Sequence, residues 1–293
     1  MQERSIPPIS AILPVLFNEE ACIAFLFEKG ILIRPFCCSI CNGCMNRYGL
    51  RFRCTRDSCR RSISIFHGSF FSEGRLKCCE TLYLGYLWLT NCSSGTMLEH
   101  TDHSPNTVSA YRQYFRELVA NMLDTDDTVI GGPGVEVQVD ETKFGKRKYH
   151  RGHRVEGAWV IVGVEKTAER RCFAEVVADR SSETIIDVLG RHLAQGSILC
   201  TDCWRGYSAV HERLGYEHHT VNHSLWFKDP NTGIDTNTVE GTNSALKRFI
   251  PVRNRTESSI PSFLFEFIWR RKYSGSLWAS FIEALNDVAY IDN

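Results

Sequence analysis

Apolar residues recur with two different periods along this chain, and a short run rich in glycine and proline separates the two regions. In Ser104–Leu123 the apolar positions fall at steps of three and four residues, which indicates a helix with one buried face. A serine N-cap followed by proline begins that helix. After the run at 131–134, Val135–Asp140 alternates strictly between apolar and polar residues, which predicts a strand ending at Asp140. The chain therefore divides into a helical N-terminal region and a C-terminal region that contains a sheet.

The C-terminal region continues with strands and then alternates between strand and helix. The further predicted strands are Ala158–Val164, Cys172–Ala178 and Ser197–Thr201, and the predicted helices are Ser181–Ala194, Arg205–Leu214, Thr238–Phe249 and Ile260–Tyr273. Three strands, a helix, a strand and further helices is the element order of an RNase H-like α/β domain. We therefore expect an RNase H-like mixed-sheet domain over residues 133–293.

Closely spaced cysteines precede this domain. Ten of the 13 cysteines lie before residue 93. In a chain without a secretory signal, such clustering favours metal binding over disulfide formation. Cys38-x2-Cys41 and Cys54-x4-Cys59 can supply the two thiolate pairs of a zinc ribbon, and zinc folds such a module although it has no core of its own. We place this ribbon at residues 36–71.

The first thiolate pair has alternatives. Cys41-x2-Cys44 has the same spacing as Cys38-x2-Cys41, and Cys37 is also nearby. We favour Cys38 and Cys41, because Asn42-Gly43 then supplies the tight turn that follows such a pair. The remaining alternative is a set of buried free thiols.

Two helical segments flank the ribbon. Residues 1–35 contain a short amphipathic helix over Asn18–Lys29 with Asn18 as N-cap, and residues 77–125 contain a core helix over Thr81–Leu89 before the Ser104–Leu123 helix. The polar face of the last helix carries Asn106, Ser109, Arg112, Gln113 and Arg116. Such a face suits the recognition helix of a helix-turn-helix, with Arg112 and Arg116 on DNA. An amphipathic helix packed on its neighbours has the same pattern.

The charge is balanced overall but unevenly distributed. The formal net charge is zero, which by itself argues against a nucleic-acid-binding protein. Basic residues are nevertheless concentrated at Arg47–Arg61, Lys143–Arg154 and Lys247–Arg255. If the protein binds a nucleic acid, these local basic patches would have to contact its phosphates. No signal-peptide pattern is present, and no apolar run approaches the roughly 18 residues of a membrane span. We expect a nuclear protein in a eukaryote and a cytoplasmic one otherwise.

Three acidic residues fall at the ends of predicted elements. Asp140 and Asp202 end strands that lie side by side in such a sheet, and Glu240 lies in the first turn of the Thr238–Phe249 helix. Hard oxygen ligands favour Mg²⁺ or Mn²⁺. Two such ions about 4 Å apart can activate the attacking oxygen and stabilise the leaving oxygen of a phosphodiester. Lys247 shares a helix face with Glu240 and can contact phosphate beside the metals.

The stretches around these acids resemble a known enzyme family. VDETKFGKRKYHRG, TDCWRGY and VNHSLWFKDPNTGIDTNTVEGTNSALKRF are similar to successive motifs of Merlin-type DDE transposases and their bacterial insertion-sequence relatives. FRCTRDSCRRSISIFHGSFF resembles that family's N-terminal zinc ribbon. The resemblance implies an RNase H-like fold, recognition of terminal inverted repeats in double-stranded DNA, and hydrolysis followed by strand transfer. It also implies that Asp140, Asp202 and Glu240 form the acidic triad, and that at least a dimer pairs two DNA ends.

Other residues of these motifs are candidates for supporting roles. Those predicted to contact DNA are Lys143, Lys146, Arg147, Lys148, His223, Lys247 and Arg248. The basic stretch from Lys143 is alternatively a solvated hairpin, and His223 alternatively makes a structural hydrogen bond. We expect Trp204 and Tyr207 to pack in the core. Asn237 is a candidate for the cap of the following helix.

Asn243 departs from the family pattern, which usually has an aromatic residue at that position. Loss of the ring is expected to weaken packing under the catalytic helix. The leading hypothesis is an active DNA transposase, and the departure at Asn243 favours the alternative of a catalytically inactive, transposase-derived DNA-binding protein. An RNase H-like nuclease is a third hypothesis, but it does not explain the N-terminal modules.

Overall fold

The computed structural model describes residues 4–145, 157–222 and 233–287. The chain forms two compact units: the first comprises Met1–Leu118 together with Tyr273–Asn293, and the second comprises Val119–Lys272. The C-terminal residues therefore belong to the first unit, and the segment 133–293, predicted as one domain, is divided between the two. The predicted boundaries of the segments 1–35, 36–71 and 77–125 stay predictions.

The first unit consists of helices and a small three-stranded sheet. Its elements are α1 (Ile9–Phe17), α2 (Glu19–Glu28), β1 (Met45–Tyr48), β2 (Arg51–Cys54), β3 (Ser62–Ser64), α3 (Cys78–Leu89), α4 (Ser94–His100) and α5 (Pro105–Ala120). The strands pair antiparallel in the order β1-β2-β3. The Asn18 side chain accepts a hydrogen bond from the Ala21 N–H at 2.9 Å, which confirms Asn18 as the N-cap of α2. No single helix among the described residues is long and apolar enough to cross a membrane, and the pair α1 and α2, bent by 106°, passes that test only by combined length and composition.

Aromatic rings form the centre of the first unit. Trp88 on α3, Phe115 on α5 and Phe281 on the C-terminal helix Leu277–Asp287 lie with ring centroids 5.4–5.9 Å apart. Gly85 permits this arrangement, because a Cβ at that position would lie 2.7 Å from the Phe281 ring. The C-terminal helix therefore packs against α3.

The second unit is built on a five-stranded mixed sheet. Its elements are α6 (Thr125–Thr128), β4 (Ile130–Gly131), β5 (Glu136–Lys143), β6 (Trp159–Glu165), β7 (Cys172–Val177), α7 (Ser182–His192), β8 (Leu193–Ala194), β9 (Ile198–Asp202), α8 (Val210–Leu214), β10 (Glu217–Val221), α9 (Asn237–Phe249) and α10 (Ile260–Lys272), with 3₁₀ turns at Arg205–Tyr207 and Val252–Asn254; the C-terminal helix of the first unit is α11. The strand order is β10-β9-β5-β6-β7, in which β5, β6 and β7 pair antiparallel and β9 pairs parallel with both β5 and β10. The predicted mixed α/β architecture and the adjacency of the strands that carry Asp140 and Asp202 are thus confirmed. The predicted end of the first strand at Asp140 is wrong, because β5 continues to Lys143 through its pairing with β6.

Helices cover both faces of this sheet. Val137, Val139 and Ile161 face a core that includes α7 and Tyr207. Val160, Val162 and Val164 face the other core, which includes α9 and α10. Because side chains alternate along a strand, residues 138 and 140 of β5 face α9, whereas residue 141 faces the α7 side.

Candidate active site

Asp140 and Asp202 lie at matching positions on neighbouring parallel strands. Gln138 of β5 is paired with Cys200 of β9, and each aspartate lies two residues further along its strand. The two side chains therefore reach the same edge of the sheet. The Asp202 carboxylate accepts a hydrogen bond from the Trp204 backbone N–H at 2.9 Å, which holds the turn after β9 against the aspartate.

Glu240 reaches the same edge from the first turn of α9, and a residue of β5 fixes where that helix begins. The fully buried Gln138 side chain accepts hydrogen bonds from the Thr238 N–H at 2.9 Å and the Val239 N–H at 3.2 Å. Its amide donates to Asp235 at 3.3 Å. Gln138 thereby satisfies two of the N–H groups that a helix leaves free at its N-terminus. The prediction that Asn237 caps this helix is wrong, because Asn237 is its first residue and is exposed.

Asp140 lies close enough to the other two carboxylates to feel their charges. Burial raises the pKa of Asp140 to about 6, and the negative charges of Asp202 and Glu240 add to the shift. Negative charges beside a partly buried carboxyl group oppose its ionisation. A divalent cation would remove this repulsion, and carboxylate oxygens are ligands that hard metal ions prefer.

Glu141 is a fourth acid beside the triad, on the opposite face of β5. Burial raises its pKa to about 7, the Tyr207 hydroxyl opposes the shift, and the charges of Asp140 and Asp202 increase it. One Glu141 oxygen lies 3.9 Å from the Arg180 guanidinium. Tyr207 is 1% exposed in the core, as predicted.

Asn243 contacts the triad directly. Its side-chain amide donates a hydrogen bond to Asp140 at 2.7 Å, and this bond lowers the pKa of Asp140 against the effect of burial. The residue is 5% exposed. The sequence marks Asn243 only as a departure from an aromatic pattern, whereas the structure gives it a polar contact with a candidate metal ligand.

We expect Asn243→Leu to shift the pH midpoint of metal binding upward. Loss of the donor should raise the pKa of Asp140 further, because a hydrogen bond to a charged group is worth about 1.5–3 kcal/mol. Since the carboxylate must be ionised to bind metal, the midpoint of Mn²⁺ binding should move to higher pH by about one unit. Calorimetric titration with Mn²⁺ across a pH series measures this shift. The exposed neighbour Ser244, replaced by alanine, is the control, and an unchanged midpoint in Asn243→Leu would contradict the assigned contact.

The predicted ribbon cysteines form a second candidate metal centre. The sulfur atoms of Cys38, Cys41, Cys54 and Cys59 all lie within 4.8 Å of one another. Among the described residues, this is the group of cysteine, histidine or acidic side chains whose ligand atoms come close enough together to hold a metal ion. Four cysteine thiolates are compatible with structural zinc. Cys37 and Cys44, the alternative ligands, are exposed. Asn42 adopts φ 53°, so the turn after Cys41 is the tight one expected there.

The predicted DNA contacts have different environments. Lys143, Lys247 and Arg248 are exposed on the second unit. Arg112 donates to the Cys92 carbonyl at 2.8 Å, and Arg116 is 6% exposed and donates to Gln113. DNA contact by the two α5 arginines stays a prediction, and the burial of Arg116 counts against it. The remaining predicted contacts, Lys146, Arg147, Lys148 and His223, lie outside the described residues.

The second unit is thus a mixed-sheet α/β domain with acidic residues at one end of its sheet and exposed cations on the same unit. The family model described as the ISXO2-like transposase domain matches residues 119–271, and the chain belongs to this insertion-sequence transposase family. The match coincides with the second compact unit. Comparison with curated proteins gives no significant match. Family membership suggests a transposase function and implies, in general, a DNA-cleaving enzyme that binds DNA.

Proposed function

We propose that this protein is a DNA transposase of the Merlin type, in which Asp140, Asp202 and Glu240 bind two Mg²⁺ or Mn²⁺ ions. The parallel register that puts Asp140 and Asp202 at matching positions, with Glu240 in the first turn of α9, carries the proposal. When bound, the metal ions supply Lewis-acid stabilisation of the attacking and leaving oxygens of the phosphodiester. An RNase H-like topology for the second unit agrees with the observed strand order and with the helices on both faces.

The chain's own residues would prepare the site for these ions. Gln138 holds the N-terminus of α9, and thus Glu240, against the strand that carries Asp140. Asn243 orients one oxygen of Asp140. The exposed Lys247 and Arg248 on α9 would neutralise phosphates of the bound DNA. Terminal inverted repeats are the proposed substrate, and two protomers would pair two ends in the nucleus or cytoplasm.

A cleavage assay with the full chain tests the proposal. With Mg²⁺ or Mn²⁺ the protein should nick DNA that carries the ends of its own element, and chelation of the metal should stop the reaction. Asp202→Ala and Glu240→Ala should abolish nicking while DNA binding in Ca²⁺ persists. Nicking that survives either substitution would overturn the triad. Binding to the ends without any nicking would support the alternative function, a transposase-derived DNA-binding protein.

The second part of the proposal is that the ribbon holds one structural Zn²⁺ through Cys38, Cys41, Cys54 and Cys59. The grouping of their sulfur atoms supports it. Such a metal stabilises a small module that buries few apolar side chains. Its role would be to hold β1–β3 in a surface that meets DNA.

We expect paired cysteine substitutions to separate zinc ligands from bystanders. Cys38→Ala should lose the bound zinc, because three thiolates cannot complete a tetrahedral site. Cys44→Ala should keep it, since Cys44 is exposed outside the group. Zinc content of the purified variants, measured by mass spectrometry, gives the result. Zinc lost from Cys44→Ala and retained by Cys38→Ala would select the alternative pair, Cys41 and Cys44.

A further inference from the structure

Three basic side chains and two indole rings form a continuous row beside the candidate active site. Lys143 Nζ lies 5.0 Å from the centre of the Trp159 ring, and the Arg180 guanidinium lies 4.7 Å from the same ring. Arg180 also lies 3.9 Å from the Trp204 ring, and Arg205 lies 5.6 Å from it. We call these five residues the cation–indole row. Each indole holds two cations, so the charges are fixed rather than carried on freely moving side chains.

The row is joined to the candidate metal ligands at both ends. Lys143 lies three residues after Asp140 on β5, and its strand partner in β6 is Trp159. Trp204 follows Asp202 by two residues and donates its backbone N–H to that carboxylate. Arg180, between the two indoles, approaches Glu141. The row therefore lies on the α7 side of the sheet, the face that carries Glu141, and it passes the end of the sheet at which Asp140 and Asp202 lie.

The charge of the row is largely uncompensated. Within the described residues neither Lys143 nor Arg205 forms an ion pair, and both are exposed. Arg180 has one acidic partner, Glu141, at the long distance of 3.9 Å, and its side chain is 38% exposed. Three cations this close together repel one another, and an anion at the row would relieve that repulsion.

The chemistry of the row favours phosphate over bases. A guanidinium that stacks on an indole keeps its N–H edge free, and this planar edge matches two phosphate oxygens. Cations already lie over the Trp159 and Trp204 rings, so these rings are not open to stacking by a base. Contacts to the phosphates alone position a strand without reading its sequence.

We infer that the cation–indole row binds consecutive phosphates of one DNA strand and leads that strand to Asp140 and Asp202. This inference rests on the proposed transposase function and deepens it, because it names the residues that position the strand. Arg180 and Arg205 are then positioning residues for cleavage. Neither is among the DNA contacts predicted from the sequence.

The salt dependence of DNA binding tests the row independently of cleavage. In Ca²⁺, the logarithm of the affinity of the full chain should fall with the logarithm of the salt concentration. Arg180→Ala and Arg205→Ala should each reduce that slope by about 0.7–0.9, the value for one lost phosphate contact. The loss should be the same on the element's ends and on a duplex of unrelated sequence. Arg213→Ala is the matched control, because Arg213 is an exposed arginine of the same unit that is paired with Glu183.

Cleavage in Mn²⁺ separates this inference from the proposed function. Arg180→Ala should cut about tenfold more slowly or worse, because the strand is no longer held in the reactive position. If the wild-type protein cuts and the row variants keep its slope and rate, the row is overturned and the transposase function stands. If the slopes fall but the wild-type protein never cuts, the proposed catalysis fails and the row stands as a DNA-binding site. The exposed Arg205 and Lys143 keep the test valid if Arg180→Ala does not fold.

Discussion

Asp140→Asn is expected to abolish DNA cleavage and, without divalent metal, to make the protein more stable. The neutral amide is a poor metal ligand, so the proposed two-metal site cannot assemble. The same change removes a partly buried negative charge that Asp202 and Glu240 disfavour. An asparagine at this position can still accept the hydrogen bond from Asn243. The variant therefore separates the cost of the charge from the geometry of the site.

The gain in stability should depend on pH in a defined direction. The pKa of Asp140 rises from 3.8 to about 6 on folding, because of burial and the two neighbouring acids. A carboxyl group whose pKa is raised on folding contributes stability at pH values below its pKa in the unfolded state. That contribution is lost as the pH rises through its pKa in the folded state. At about pH 7.5 the variant should therefore be more stable by about 2 kcal/mol, and near pH 4 the gain should largely vanish.

Thermal and urea denaturation at the two pH values measure this gain. Asp187→Asn is the control, since Asp187 is an exposed aspartate on α7 and should change neither cleavage nor the pH profile. Addition of Mn²⁺ should stabilise the wild-type protein more than Asp140→Asn. Cleavage by Asp140→Asn would remove Asp140 from the proposed catalytic set. A gain that is equal at both pH values would show that charge repulsion is not its cause.

Features that repeat along the chain could be predicted from the sequence. Alternating residues predicted β5, although the strand continues past the predicted end at Asp140 to Lys143. The spacing of Cys38, Cys41, Cys54 and Cys59 predicted the group that the structure brings together. The strand that carries Asp202 was placed beside β5 from the order of elements, and the parallel pairing confirms it. Each of these features is encoded locally or by a regular connection between neighbouring elements.

Contacts between residues far apart in the chain could not be predicted in this way. Gln138 and Thr238 are 100 residues apart, and Asn243 and Asp140 are 103 apart. Within a strand pattern Gln138 is an ordinary polar position, and only the arrival of α9 makes it a cap. The placement of α11 on α3 depends likewise on Gly85 making room for Phe281, which no periodicity indicates.

Gln138→Leu is expected to destabilise the second unit and to weaken metal binding at the same time. Leucine leaves the Thr238 and Val239 N–H groups without an acceptor, and a buried donor without a partner costs about 1–3 kcal/mol. We therefore expect the free energy of unfolding to fall by about 2–4 kcal/mol. Glu240 follows Val239 directly, so any shift of the first turn moves a candidate ligand, and Mn²⁺ affinity should fall by about tenfold or more.

The matched control for this variant is Asn237→Ala at the first residue of the same helix. If Gln138 supplies the cap, the exposed Asn237 side chain is dispensable and its loss should change neither stability nor affinity. Urea denaturation gives the free energies of unfolding, and calorimetry gives the Mn²⁺ affinities. The opposite order, with Asn237→Ala costly and Gln138→Leu neutral, would restore Asn237 as the cap. A loss of stability in Gln138→Leu with normal Mn²⁺ affinity would show that α9 keeps Glu240 in place without Gln138. In that case β5, which carries Asp140, would not position Glu240.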